Sequence, residues 1–141
     1  MRRRRQFGRR VLTQRLLRRT SKPVLVVRRK AVEPYRRVLV AVDFSSYSAN
    51  ALAYGQAVAP GAEIYLTHVY QALFEGKMQD AGVSVDTIHE YRRKARNQSK
   101  MAMRNFIEAA KVGGKRLHLS IEYGSHVPSK LLSKIRHVDA D

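Results

Sequence analysis

VLVAVDFSSYSANALAYGQAVA, residues 38–59, decides the architecture. Its first five residues, Val38 to Val42, form an unbroken apolar run rich in β-branched side chains, the pattern of a strand covered on both faces. Asp43, Phe44, Ser45 and Ser46 interrupt the run, and the serines are suited to cap a helix that follows. In that helix Ser48, Leu52, Gly55 and Ala59 share a face at spacings of three and four, and the small ones let it lie close on a sheet. Pro60-Gly61 stops it.

Downstream, Ile64 to Tyr70 reads as a further strand, and Gln71 to Val83 as a loop broken by Gly76 and Gly82. Ile88, Tyr91, Ala95, Ala102, Phe106 and Ala109 keep a helical stripe toward Gly113-Gly114. Leu117, Leu119 and Ile121 alternate with His118, Ser120 and Glu122, the period-two signature of a half-exposed strand at a sheet edge. Gly124 ends it, and Pro128 suits the first turn of a helix carrying Leu131, Leu132 and Ile135 toward the core. From residue 38 the order is strand, helix, strand, helix, strand, helix. That order implies right-handed crossovers and an α/β fold with an open, mainly parallel, Rossmann-like sheet.

Upstream, Leu12 with Leu16 and Thr13 with Leu17 mark a short amphipathic helix over residues 9–19 whose other faces are arginine. Val24-Leu25-Val26-Val27 follows Pro23 as a second buried-strand run. Residues 30–37 read as a linker, with Pro34 disfavouring helix at Glu33. The expected division is therefore residues 1–29, a linker over 30–37, and a domain over 38–141.

The 141 residues suit one domain, or one domain and a piece of another. With 44% hydrophobic residues the chain can bury a core, which excludes wholesale disorder. The formal net charge is +17, yet residues 1–37 hold 15 of the 28 basic side chains and only Glu33 on the acidic side. Arg2, Arg3, Arg4, Arg5, Arg9 and Arg10 form a candidate basic patch, and such a block can bind nucleic acid or anionic surfaces by neutralising phosphate. A solvated helix face with a frayed end explains the same charges. No run reaches the roughly 18 apolar residues a membrane span needs. Arginines interrupt every candidate for the apolar part of a secretory signal. The chain has no Cys, which removes disulfides, thiolate metal sites and cysteine nucleophiles. A cytoplasmic location is the default expectation.

Other chemical motifs are weak. Gly124-Ser125-His126-Val127-Pro128-Ser129-Lys130 has a serine where a phosphate-binding loop needs its second glycine, and a proline in the turn. His68, His89, His118, His126 and His137 lack metal-ligand spacing, so no metal site is expected and each reads as a surface or core histidine. Ser45, Asp43 and a histidine can be drawn as a triad, but nothing in the sequence places a base beside the hydroxyl. Arg92-Arg93-Lys94-Ala95-Arg96 reads as a solvated basic face. No catalytic residue is assigned, and the chain is expected not to be an enzyme.

With those residues in view, Val38 to Ala59 resembles the first strand, turn and helix of the universal stress protein family. Leu66-Thr67-His68-Val69 is similar to its second strand, Ile121-Glu122-Tyr123-Gly124 to the end of its third, and His137 to Asp141 to the entrance of its fourth. Residues 11–29 resemble the last helix and fifth strand that close such a domain, here placed ahead of it. The resemblance therefore implies a piece of a tandem arrangement, one repeat's end followed by the first part of the next. Its sheet would be incomplete at the C-terminus. It also gives the Arg-rich helix a structural place, against the alternative of an organellar transit peptide.

The resemblance implies a stress-response domain of the adenine nucleotide alpha hydrolase-like class. Adenine and ribose would lie against Ala41, Val42, Asp43 and Val69, with Asp43 as polar anchor; Asp43 also reads simply as a turn and helix-entry residue. The family's glycine-rich phosphate loop follows its fourth strand and has no counterpart here. ATP or another adenine nucleotide is therefore expected to bind weakly or not at all. The resemblance further implies a homodimer or pairing with a neighbouring repeat through Pro23, Val24, Leu25, Val26 and Val27. Without a fourth strand the edge beside residues 38–42 calls for a cover, either that segment or a second copy.

Overall fold

The computed structural model describes residues 19–20, 22–27, 32–112 and 116–141. The chain divides into two units, residues 1–33 and 34–141. Residues 9–18 of the expected basic helix, with Arg2, Arg3, Arg4, Arg5, Arg9 and Arg10, lie outside the described residues, and Arg19 is helical. Of the first unit, residues 22–27 are neither helix nor strand, so the expectation of a strand over Val24–Val27 is not met. An apolar run becomes a strand only through a ladder with a neighbour. Here Leu25, Val26 and Val27 are exposed, and the sheet among the described residues has three strands drawn from the second unit.

That unit is an α/β fold: β1 (Arg37–Ala41), α1 (Ser46–Val58), β2 (Glu63–Tyr70), α2 (Glu75–Asp80), α3 (Val85–Ala110), β3 (Leu117–Tyr123) and α4 (Val127–Val138). The strands form one open sheet in the order β1-β2-β3, parallel throughout. β3 is an edge, as its alternating sequence predicts. β1 is the other, and the start of that edge is met by Asp141, whose amide donates to the Arg37 carbonyl at 3.0 Å. The Asp141 carboxylate accepts from the Arg36 and Arg37 amides at 2.5 and 2.9 Å.

One face of the sheet carries the core. Val40, Ile64 and Leu66 pack with Leu52 of α1 and Met103 and Phe106 of α3. The stripe on α3 drifts from its expected end, since Ala110 packs against the core while Ala109 is exposed. A true 3.6-residue period carried from Ile88 arrives at residue 110 rather than 109. α4 packs on β1 and β2 from the other face. Its Val138 is buried and Leu131 half-buried, but Leu132, expected inward, is exposed, one residue or about 100° off the packed stripe.

The segment expected as a loop contains the short helix α2. Phe74 precedes it in the left-handed region, φ 71°, and Gly82 follows it with φ 70°. Its anchor is Glu75, buried against Arg92 of α3 and Tyr123 of β3. Arg92 donates through both Nε and Nη2 to the carboxylate, the Nε bond being 2.8 Å, and the Tyr123 hydroxyl donates at 2.6 Å. The guanidinium also lies 5.2 Å from the centre of the Tyr123 ring, within cation–π range. Arg92 is thus a structural partner rather than part of a solvated basic face. Neighbouring Arg93 and Lys94 face Glu90 at 3.9 and 3.4 Å.

Two stability predictions follow from these contacts. A Cβ added at Gly55 would sit 3.4 Å from Val40 Cγ2 and 3.7 Å from Val38 Cγ1, ordinary contact. Gly55→Ala should therefore gain up to about 1 kcal/mol of helix propensity and raise the melting temperature by a few degrees. Gly55→Leu should lower it by forcing the helix off the sheet. The Arg92 and Tyr123 hydrogen bonds lower the Glu75 carboxyl from 4.5 to about 2. A group depressed on folding contributes fully above its unfolded value and loses that contribution as pH falls toward its folded one. Acid melts of the wild type should thus weaken between about pH 4.5 and 2, more steeply than those of Glu75→Gln.

Candidate functional site

The parallel register sets Ala41, the end of β1, opposite Thr67, and β2 runs on three residues past it to Tyr70. Val42 makes one more ladder bond, its amide donating to the Thr67 carbonyl at 2.9 Å. The chain then leaves the sheet through Asp43 and Phe44, the latter in the left-handed region with φ 67°, and enters α1. An open cavity of about 440 Å³ lies past the end of β1 and along residues 67–69 of β2, between the β1–α1 turn and the start of α4. The expected residues Ala41, Val42, Asp43 and Val69 all line it, together with Ser48, Thr67, His68, Val127 and Leu131. Its walls are therefore apolar around a small polar group, the usual make-up of a small-molecule site.

Asp43 is the polar centre of the turn. Its Oδ1 accepts from the Ser45 amide at 3.0 Å, the Ser45 hydroxyl at 2.6 Å and the Ser48 hydroxyl at 2.5 Å. The Ser48 hydroxyl in turn accepts from the Asp43 amide at 3.0 Å. Ser45 caps α1 by accepting from the Ser48 amide at 3.3 Å. These donors, the Ser45 hydroxyl first and Ser48 next, hold the Asp43 carboxyl far below the ordinary carboxylate range. The turn and helix-entry role of Asp43 is thus present in its Oδ1 contacts. Oδ2 makes no hydrogen bond among the described residues.

Three participants escape a reading of the sequence alone. Ser48 reads only as a small packing residue, yet it is the second side-chain donor to Asp43. Thr67 is 1% exposed, lines the cavity, and its hydroxyl has no hydrogen-bond partner among the described residues. His68 reads as a surface or core histidine, but its Nδ1 lies 2.8 Å from the Val42 carbonyl and its ring 4.3 Å from that of Phe44. The available signal was register: with Ala41 opposite Thr67, residues 67–69 of β2 lie beside residues 41–43.

The dimer or repeat-pairing residues Pro23, Val24, Leu25, Val26 and Val27 belong to the first unit. A smaller cavity of about 370 Å³ shares His68, Val69 and Val127 with the first and runs beside Gln71, Gln98 and Ser99. The Gly124–Lys130 segment forms the entry to α4, where His126 Nδ1 accepts from the Ser129 amide at 3.2 Å. No helix among the described residues is long and apolar enough to cross a membrane.

A comparison with curated proteins finds no match. The sequence model of the universal stress protein family matches residues 34–134, a span that starts just ahead of β1, runs into α4 and includes every residue lining the larger cavity. The chain therefore belongs to the universal stress protein family.

Proposed function

We propose that this chain is a non-catalytic stress-response domain that binds the nucleoside part of ATP or a related adenine nucleotide in the cavity beside Asp43. The observation that carries the reading is the meeting of Ala41, Val42, Asp43 and Val69 around one cavity of about 440 Å³. A flat base fits apolar walls of that kind, and ribose hydroxyls are suitable donors to Asp43 Oδ2. Because the carboxyl titrates well below the usual range, it is an anion at every physiological pH. It accepts hydroxyl donors and repels phosphate, so the phosphates point away from it.

No glycine lines the cavity among the described residues, so no loop of bare amides supports the phosphates and the nucleoside carries the affinity. Ser45 donates to Asp43, and His68 Nδ1 is engaged by the Val42 carbonyl. No histidine is hydrogen-bonded to the Ser45 hydroxyl among the described residues, which favours a binding role over hydrolysis. We place the domain in the cytoplasm and expect it to associate with a second copy or a neighbouring repeat, since the β1 edge beyond Arg37 has no strand partner among the described residues. The competing reading, nucleic acid or anionic-surface binding through residues 1–37, rests on charge alone.

Thermal melts with millimolar adenosine or ATP·Mg²⁺ test the reading. A ligand bound only by the folded chain must raise the melting temperature by mass action. Wild type should shift with both ligands. Asp43→Asn, which keeps an acceptor for the serines, should still melt cooperatively with affinity reduced about tenfold or more, as expected for loss of a charged acceptor. A cooperative wild-type melt that neither ligand moves removes the proposal. Nucleic-acid binding that vanishes between low and physiological salt would favour the competing one.

A further inference from the structure

Val42, one residue past β1, makes the last bond to β2 before the turn begins. Val42 is buried, 6% exposed, and a buried carbonyl without a partner is costly. The side chain that meets it comes from the neighbouring strand: His68 Nδ1, 2.8 Å away. A carbonyl oxygen only accepts, so this nitrogen carries the hydrogen and the ring's tautomer is fixed by the contact. The same ring lies 4.3 Å from the ring of Phe44, whose other side meets Phe106 edge-on at 6.0 Å. His68 therefore touches the residue before Asp43 through a hydrogen bond and the residue after it through an aromatic contact.

Phe44 needs that support. A left-handed φ of 67° is unfavourable for a residue with a Cβ, and such a conformation persists where its surroundings over-determine it. Released, the turn would relax and carry the Asp43 carboxylate away from the cavity mouth. We infer that His68 is a positioning residue, clamping the Val42–Phe44 backbone so that Asp43 stays in its ligand-binding geometry. The inference rests on the proposed nucleoside site and adds to it a determinant of affinity on a different strand from the anchor. It assigns the effect to the Nδ1 donor rather than to the bulk of the ring.

Two substitutions separate those contributions. His68→Phe keeps a ring against Phe44 and deletes the donor, whereas His68→Asn deletes the ring and keeps an N–H near the Nδ1 position. Adenosine affinity by calorimetry and amide hydrogen exchange over residues 43–48 are measured on the full chain, each variant first checked for a cooperative melt. His68→Leu, also donor-free, replaces a Phe variant that does not fold. The donor-free variant should bind adenosine about tenfold more weakly, the scale set by one unsatisfied buried carbonyl, and should exchange faster across the turn. His68→Asn should stay within about threefold of wild type in affinity and keep its protection. Wild-type affinity in the donor-free variant, or equal losses in both variants, overturns the inference. Should wild type bind no adenosine, the nucleoside reading fails by itself, and exchange alone then decides the clamp: an unchanged rate in the donor-free variant overturns it.

Discussion

The parallel ladder between β1 and β2 is the constraint on which the rest of the structure depends. Setting Ala41 against Thr67 brings the end of β1 beside residues 67–69 of β2, and the polar groups of the cavity are gathered there. The ladder's own bonds stop at Val42. Beyond it, side chains replace backbone partners one by one: His68 for the Val42 carbonyl, Ser48 for the Asp43 amide, Asp43 for the Ser45 amide. The turn is thus continuous with the sheet in hydrogen bonding although it has left the sheet in geometry. The same register lets Val38, Val40, Ile64 and Leu66 face α1 and α3 as one surface, while the alternate residues face α4.

Two carboxylates show how differently a similar group is used. Glu75 is saturated by Arg92 and Tyr123 and ties a short helix to α3 and β3. A buried carboxylate met by a guanidinium and a phenol is a fastening, since removing one partner leaves an uncompensated charge. Asp43 draws its donors from neutral hydroxyls and an amide within five residues. All of these donors meet one oxygen, and the other has no hydrogen bond among the described residues. Neither role follows from residue type; each follows from which donors the surrounding elements deliver.

Apart from α2, the strands and helices of residues 38–138 were readable because apolar runs and helical stripes report burial directly: Val38–Val42, Ile64–Tyr70 and the Ser48–Leu52–Gly55–Ala59 face lie in or directly beside elements that use them as the pattern implies. The resemblance likewise singled out Ala41, Val42, Asp43 and Val69, which meet at one cavity. What was not readable depends on partners distant in sequence. Six residues from Glu75 are too few to show a helical period, and α2 exists because Arg92 and Tyr123 fix its first residue. His68 carries no local sign of its role, since its partners lie on β1 and in the turn after it. Val24–Val27 has the composition of a strand, but composition does not supply a neighbour.

Phe44 gives this site a thermodynamic character of its own. A left-handed residue in the β1–α1 turn means that the folded chain holds roughly 1–3 kcal/mol of local strain there, sustained by the aromatic and hydrogen-bonded contacts around it. That free energy is committed during folding, before any ligand arrives. On the proposed reading, a nucleoside entering the cavity would meet a carboxylate already hydrogen-bonded within the turn and would not have to freeze it. Such preorganisation makes affinity depend less on the size of the contact surface than on how rigidly Val42, Asp43 and Phe44 are kept. Substitutions that relax the turn and stabilise the fold would be expected to do so at the expense of binding.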